Sequence, residues 1–431
     1  MPPDDGHSMM TLPDEADRER AEEHIDNLLL PARRLLRQHA PVREILKAIK
    51  EHVSPLDWAS WHVQKCIHRM LLSDPVQDIF PLAPQYRATF IRRLCDELEE
   101  AVRRNEEGEV IEPIFRELNV LLNQPARSIA PGEGATHYVT FECPVCKPVH
   151  SSFIAHDGLE IPSFQKIKHV NNRDGRQQDE KESNTRILAI RMAPKENAVG
   201  LKLWEACYIL SEALLRNPKL CHGRDVVELG AGVGLLGLVA AYCAGAAHVT
   251  LTDVDDKVLH FLRANVEANV TTGALATLAS NGHLAPRKAE VLVPSIDVAP
   301  LDWTRSREAE ALFDTGVRRK GDLGMRSRTV LAADCVYDRD LIPAFVDTLA
   351  FALRALPPPH QTLVLVASTL RNPATFACFQ GLVATKGLVM EDVTDSLADR
   401  NGIASPFYCP NRAAVRLTRI SLPSGSERVH E

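Results

Sequence analysis

No stretch of this chain stays apolar for the ~18 residues that a bilayer-crossing helix needs, and its first segment, MPPDDGHSMMTLPDEADRER, is acidic where a targeting peptide would be basic. The expectation is a soluble, cytoplasmic protein with no membrane partner. A basic excess is also missing: 50 Lys and Arg stand against 57 Asp and Glu, a formal charge of -7. That balance gives no global pull toward nucleic-acid phosphate, so nucleic acid is not an expected partner. Aromatics are scarce, with six Tyr and four Trp, yet 45% of the 431 residues are hydrophobic, enough for a sizeable core in two or three structural units. Ten cysteines are present, but a second ligand pair is not. Cys143 and Cys146 form C-P-V-C, half a zinc site or a turn at a hairpin tip, and no further pair or H-x3-5-H follows at ligand spacing. Cys66, Cys95, Cys207, Cys243 and Cys378 fall in apolar patterns typical of buried reduced thiols. No metal is expected.

From about residue 14 to 125, apolar residues recur at three- and four-residue spacing, as in ADRERAEEHIDNLLLPARRLLRQH and QYRATFIRRLCDELEEAVRRN. This predicts an α-helical region over 1–130, without a fixed-period repeat. From His137 the pattern changes to alternation. HYVTFEC and ILAIRM read as strands in a β-rich connecting segment, 131–199, and the polar NNRDGRQQDEKESNTR between them as a loop. Near Asp225 a strand–helix rhythm begins, predicting a mostly parallel sheet covered by helices over 200–431. Seven strands are expected: Val226–Leu229, His248–Thr252, Glu290–Val293, Thr329–Ala333, Leu363–Ala367, Leu388–Val393 and Ala413–Ile420. Thr271–Lys288 and Arg305–Arg328 read as long polar loops.

RDVVELGAGVGLLGL (Arg224–Leu238) can be parsed as G-x-G-x-G from Gly230 or as the dinucleotide fingerprint G-x-G-x-x-G from Gly232. Both describe a buried strand, a tight turn against a ligand and a helix opening near Gly234, with an acid about 20 residues on, here Asp253, for ribose hydroxyls. Glu228 separates them. A carboxylate at that strand end suits the α-ammonium of a methionine moiety and repels a pyrophosphate. The second discriminating stretch is LAADCVYDRDL (Leu331–Leu341). A polar residue ending the fourth strand of such a sheet lies at the crevice where strand order reverses, so Asp334 and Tyr337 are expected to face the chemistry. The alternative for Asp334 is a helix cap near Arg339.

GLKLWEA (Gly200–Ala206), VVELGAGVG (Val226–Gly234), TDVDD (Thr252–Asp256), LDW (Leu301–Trp303) and ADCVY (Ala333–Tyr337) occur in the order found in the seven-strand S-adenosylmethionine-dependent methyltransferases. D-x-x-Y after strand four resembles the group that methylates lysines of non-histone proteins. STLRNPATFACF (Ser368–Phe379) and the helical N-terminal region extend the likeness to the eukaryotic elongation factor 2 lysine methyltransferases. Glu205 stands where that family more often has Asp. The resemblance covers roughly Gly200 onward and implies an α/β fold: a Rossmann-like seven-stranded mostly parallel sheet of the class I methyltransferase type with an α-helical N-terminal extension.

The resemblance also implies roles. Trp204 would line the cofactor pocket, Gly230, Ala231 and Gly232 would wrap the methionine and ribose portions, Asp253 would hold the ribose, and Trp303 and Ala333 would flank the adenine. Read from the residues alone, Trp204 packs a helix onto the sheet and Trp303 anchors the core. Glu228 completes the cofactor set, and Asp334 and Tyr337 form the catalytic pair, gripping and walling in the incoming amine. The implied activity is methyl transfer from S-adenosylmethionine to a lysine of a protein, elongation factor 2 by the finer likeness, by a monomeric chain without metal. The alternatives are another protein, a nucleic acid or a small-molecule amine as acceptor. A nucleic-acid amino methyltransferase usually shows Asn/Asp-Pro-Pro-aromatic after strand four, where this chain has ADCVY. Asn372-Pro373 reads instead as a helix N-cap and first-turn proline.

Overall fold

The computed structural model describes residues 15–105, 108–123, 137–146, 185–193, 199–271, 277–278, 284–285, 295–314, 326–356, 360–399, 401–402 and 405–423. The chain divides into two compact units, 1–129 and 130–431.

The first unit is helical, as its periodicity predicts: α1 (Glu15–Arg37), α2 (Val42–His52), α3 (Trp61–Ile67), α4 (Pro75–Ile79), α5 (Pro84–Asn105) and α6 (Glu112–Asn123). Phe90, Ile91, Leu94, Cys95 and Leu98 of α5 form its buried stripe. Within this apolar interior Arg37 and Asp74 make a two-bonded ion pair, Nε to Oδ2 at 2.6 Å. Both side chains are 1% exposed. Asp74 also caps α4 by accepting the Val76 N–H.

The second unit opens with β1 (His137–Pro144) and β2 (Thr185–Met192), an antiparallel pair. It continues with α7 (Glu205–Arg216), β3 (Asp225–Leu229), α8 (Leu235–Tyr242), β4 (His248–Asp253), α9 (Asp256–Thr271), two-residue strands β5 (Thr277–Leu278) and β6 (Leu284–Ala285), β7 (Ser295–Pro300), α10 (Ser306–Phe313), β8 (Arg328–Ala333), α11 (Ile342–Ala355), β9 (Thr362–Thr369), α12 (Pro373–Thr385), β10 (Val389–Asp392), α13 (Thr394–Leu397) and β11 (Val415–Ser421). Seven of these strands form one sheet in the order β10-β11-β9-β8-β3-β4-β7. β3, β4, β7, β8 and β9 are mutually parallel, and β11 and β10 close one edge antiparallel. The central strands are buried on both faces, which is why DVVEL and TVLAA lack the apolar–polar alternation of a half-exposed strand. From β3 the chain winds one way to β4 and β7, then returns to β8 on the other side. The crevice between the carboxyl ends of β3 and β8 is therefore the switch point where such sheets bind ligands.

Six of the expected strands are observed to within about two residues. The Glu290–Val293 expectation lies outside the described residues, and the strand pairing with β4 is Ser295–Pro300. SIDVAP sits at the sheet edge with exposed or half-buried side chains throughout, so it lacks the apolar run that VLV displays. Arg305–Arg328 is likewise not all loop. Its first part is α10, held by buried Ala309 and Phe313, while 315–325 lie outside the described residues. Most of NNRDGRQQDEKESNTR and much of Thr271–Lys288 also lie outside them.

Two buried asparagines one turn apart on α9 tie β2 to the sheet. Asn269 exchanges hydrogen bonds with the N–H and C=O of Ala189 at 2.9 and 2.7 Å. Asn265 accepts the Arg191 N–H at 2.7 Å and donates to the Val233 carbonyl in the glycine turn at 2.9 Å. Spacing of i and i+4 puts both amides on one helix face, where they satisfy a strand edge that would otherwise be left unpaired.

Candidate active site

β3 ends at Leu229, and Gly230, Gly232 and Gly234 follow with φ of 64°, 56° and 91°. All three occupy the left-handed region that side chains disfavour. A Cβ on Gly232 would lie 2.9 Å from the Gly200 carbonyl oxygen. Gly237 has a different task, since a Cβ there would stand 2.0 Å from a Leu251 methyl and 2.7 Å from the Glu228 carboxyl. It lets α8 lie close on β4. The two parsings of the motif thus describe one turn plus one packing glycine, and spacing alone does not choose a ligand.

The turn borders a cavity of about 370 Å3. All ten residues expected at the site line it: Trp204, Glu228, Gly230, Ala231, Gly232, Asp253, Trp303, Ala333, Asp334 and Tyr337. Glu228 is 2% exposed, and its Oε2 has no hydrogen-bond partner. Burial pushes its carboxyl up to about 8; the Gly237 N–H opposes this and the Asp253 charge adds to it. In the ligand-free pocket Glu228 therefore keeps its proton at pH 7, unlike the ionised carboxylate its position suggested. A cation placed against it would restore the ionised form. Asp253 accepts the Gly232 N–H at 3.0 Å and the Val254 N–H at 2.8 Å. Burial raises its carboxyl, and these backbone donors oppose the rise.

Trp303 follows β7, lies over Gly230, and packs on Phe345 with ring centroids 4.9 Å apart. Core anchor and cavity wall are the same residue. Its Nε1 is buried without a partner, a cost of about 1–3 kcal/mol. Trp204 does not pack α7 onto the sheet; Ala206, Ile209, Leu210 and Ala213 do that. It occupies the N-cap position of α7, with its indole N–H on the Val199 carbonyl at 3.0 Å.

Asp334 follows β8 with a φ of 54°, one of two described non-glycine residues at positive φ. It does not cap α11, which begins at Ile342. Its own N–H donates to the Ala367 carbonyl, and its carboxylate accepts the N–H and the hydroxyl of Thr369, both at 2.8 Å. The strained backbone turns an almost buried carboxylate to the cavity. Tyr337, 54% exposed, stands at the rim. Asn372 caps α12 through the Ala374 N–H, with Pro373 in the first turn, as the sequence predicts.

Three residues escaped the sequence reading. Cys335 forms part of the cavity wall beneath Gly230 and donates to the Leu229 carbonyl. Thr369 holds Asp334. Arg371 contacts Asp334 through Nη1 at 3.3 Å, pairs with Glu205, and lies over the Trp204 ring, 4.8 Å from its centroid. Glu205 and Arg371 are 166 positions apart, and nothing local joins them. Among the described residues no three His, Cys, Asp or Glu side chains gather as a metal-holding group, and no helix is long and apolar enough to cross a membrane.

Residues 182–382 match the model of a family described as lysine methyltransferase. The match spans a little under half of the chain. S-adenosylmethionine is the methyl donor of that family. Among its relatives, the protein-lysine N-methyltransferase EFM3 of Chaetomium thermophilum is 24% identical over 80% of this chain and 86% of its own length. The protein-lysine N-methyltransferase EEF2KMT of Bos taurus is 30% identical over 45% of this chain and 54% of its own. An uncharacterized protein of Dictyostelium discoideum is 28% identical over 52% of this chain and 60% of its own length.

Proposed function

We propose that this protein transfers methyl groups from S-adenosylmethionine to a lysine side chain of a protein, and that elongation factor 2 is the acceptor. The observation that carries the reading is the pairing of two carboxyl groups across one crevice. Glu228 is buried at the end of β3, and Asp334 is held at positive φ at the end of β8. The first suits a cationic amino-acid headgroup and the second an incoming amine. The left-handed glycine turn, packed closely on the Gly200 backbone, fits a ligand held against main chain rather than side chains.

We assign Glu228 to the methionine ammonium, Gly230, Ala231 and Gly232 to the methionine and ribose portions, and Asp253 to the ribose hydroxyls. Trp204, Trp303 and Ala333 form the pocket walls, the last two beside the adenine. When bound, the cofactor supplies an electrophilic methyl carbon. Asp334 would orient the acceptor nitrogen with its lone pair toward that carbon, and the group the cofactor would supply is a methyl whose departing bond electrons stay with sulfur. The nitrogen's proton leaves to water or to Asp334. Tyr337 at the rim walls the amine's alkyl stem. Fixing nucleophile and methyl in line contributes on the order of 7 kcal/mol or more, the main source of rate in this reading. Elongation factor 2 is named because the Ser368–Phe379 stretch and the helical N-terminal region resemble its methyltransferases, and because a relative is the EEF2KMT protein. We assign acceptor recognition to the helical unit.

Radiolabelled S-adenosylmethionine incubated with the purified chain and a cell extract, with elongation factor 2 added in parallel, tests the reading. Label should enter protease-sensitive, nuclease-resistant material and elongation factor 2. Label in nucleic acid or in small amines would replace this function with one of the alternatives.

A further inference from the structure

The Asp334 carboxylate has no vacant place for a lysine. Thr369 gives it two short hydrogen bonds, the Ala206 N–H a longer one at 3.4 Å, and Arg371 reaches Oδ1 at 3.3 Å and Oδ2 at 3.4 Å. Any amine that binds Asp334 must displace a donor. The Thr369 and Ala206 donors belong to the end of β9 and the first turn of α7, so removing them means unwinding an element. Arg371 is free of that constraint. It lies between β9 and α12, its side chain is 44% exposed against 7% for Asp334, and it has other holds in the Glu205 carboxylate and the face of Trp204. Two anions share one cation.

We propose that Arg371 guards the acceptor position: its guanidinium fills the cation place on Asp334 in the resting protein and withdraws onto Glu205 and Trp204 when the acceptor lysine enters. The proposal rests on the lysine-acceptor reading above. It resolves a conflict within that reading, because a lone carboxylate beside a lysine would stabilise the protonated, unreactive ammonium. Withdrawn onto Glu205, the guanidinium still stands beside the site and offsets that charge, so Asp334 can orient the amine without holding it protonated. Arg371 is thus a positioning residue that acts through Asp334.

The other titratable groups around Asp334 are Cys207 on α7, Cys335 beside it, Tyr337 on the rim, and Glu228 and Asp253 across the cavity. Burial raises both thiols and the phenol, which stay neutral near pH 7. Glu228 titrates near 8, a contribution common to every variant compared below.

The test has two arms. In the first, n-butylammonium, a lysine side-chain probe, is titrated into the full-length chain and followed by NMR. Arg371→Ala should bind it roughly tenfold more tightly than wild type, a change of about 1.4 kcal/mol, Arg371→Lys to an intermediate degree, and Arg371→Ala/Asp334→Asn no better than wild type. Glu205→Gln, which strips Arg371 of its second anion, should weaken binding. Equal affinity for wild type and Arg371→Ala overturns the proposal. In the second arm, kcat for elongation factor 2 is measured against pH. Arg371→Ala should lower KM for the acceptor and move the alkaline rise of kcat upward by about one pH unit, leaving activity low at pH 7 and recovered at higher pH. A uniform loss at all pH values is the signature of a merely structural role and also overturns it. If wild type leaves elongation factor 2 unmethylated, the acceptor assignment fails, and the butylammonium arm still decides the role of Arg371.

Discussion

The Asp334 carboxylate and Thr369 are joined by two hydrogen bonds of 2.8 Å, one from the Thr369 N–H and one from its hydroxyl. They link the carboxyl ends of β8 and β9 and fix the direction of the Asp334 side chain. Thr369→Val keeps the shape and the N–H but removes the hydroxyl. A hydrogen bond to a charged group contributes about 1.5–3 kcal/mol, so kcat should fall about 10- to 100-fold while the cofactor dissociation constant holds. Single-turnover kinetics beside calorimetric titration separates the two quantities, and an unchanged kcat would mean that Asp334 needs no such orientation.

Glu228 couples the pocket to pH. Its folded value of about 8 lies above the ordinary carboxyl value of 4.5, so between those limits the folded chain holds a proton that the unfolded chain has released. Its stability contribution is fully present below about pH 4.5 and is lost as pH rises through 8, a loss on the order of a few kcal/mol. The raised carboxyl of Asp253 works in the same direction. Urea midpoints measured from pH 6 to 9 should fall more steeply for wild type than for Glu228→Gln; parallel curves would contradict the burial argument.

The same group predicts proton release on ligand binding. At pH 7 the ammonium of S-adenosylmethionine should expel close to one proton from Glu228, declining toward zero above pH 9. Calorimetry in buffers of different ionisation enthalpy reads the number directly. Release that does not vary with pH, or that persists in Glu228→Gln, would remove Glu228 from the ammonium site.

Asn265 ties β2 and the glycine turn together through the Arg191 N–H and the Val233 carbonyl. Asn265→Leu keeps similar volume but removes the side-chain amide that both groups use. The expected cost is about 2–5 kcal/mol of stability, with weaker cofactor binding because the turn loses its anchor. Denaturant titration checks the first and calorimetry the second; a neutral effect on both would show that water reaches these groups.

Gly232→Ala places a methyl 2.9 Å from a backbone oxygen at a φ of 56°, a strain of about 1–2 kcal/mol from the backbone alone. Cofactor affinity should drop more than tenfold. Gly381→Ala is the control: it lies inside α12 with nothing within 4 Å of the added Cβ. There the substitution should raise stability by about 0.5–1 kcal/mol. Equal responses at the two glycines would mean that the turn is not under conformational constraint.

What the sequence disclosed follows from where each signal is local. Gly230, Asp253 and Asp334 each end or follow a buried strand, and strand ends can be counted along a chain. Glu228 was legible as a position but not as a protonated group, because its proton affinity depends on how tightly Gly237 lets α8 close over it. The edge strand Ser295–Pro300 was displaced onto VLV because an exposed strand carries no apolar run. α10 was read into the polar loop Arg305–Arg328 because its SREAEALF buries only two residues. The Glu205–Arg371–Asp334 arrangement had no local trace, since three separate elements meet there only after folding.

The central claim is that methyl transfer to a protein lysine occurs at Asp334. Peptide mass spectrometry of elongation factor 2 after incubation with S-adenosylmethionine and the purified chain tests it most directly. The prediction is added methyl on one lysine with wild type and a loss of at least ~10²-fold with Asp334→Asn, although that variant still binds the cofactor. Methyl transfer by Asp334→Asn at the wild-type rate, or none by a wild-type chain that binds the cofactor, would contradict it.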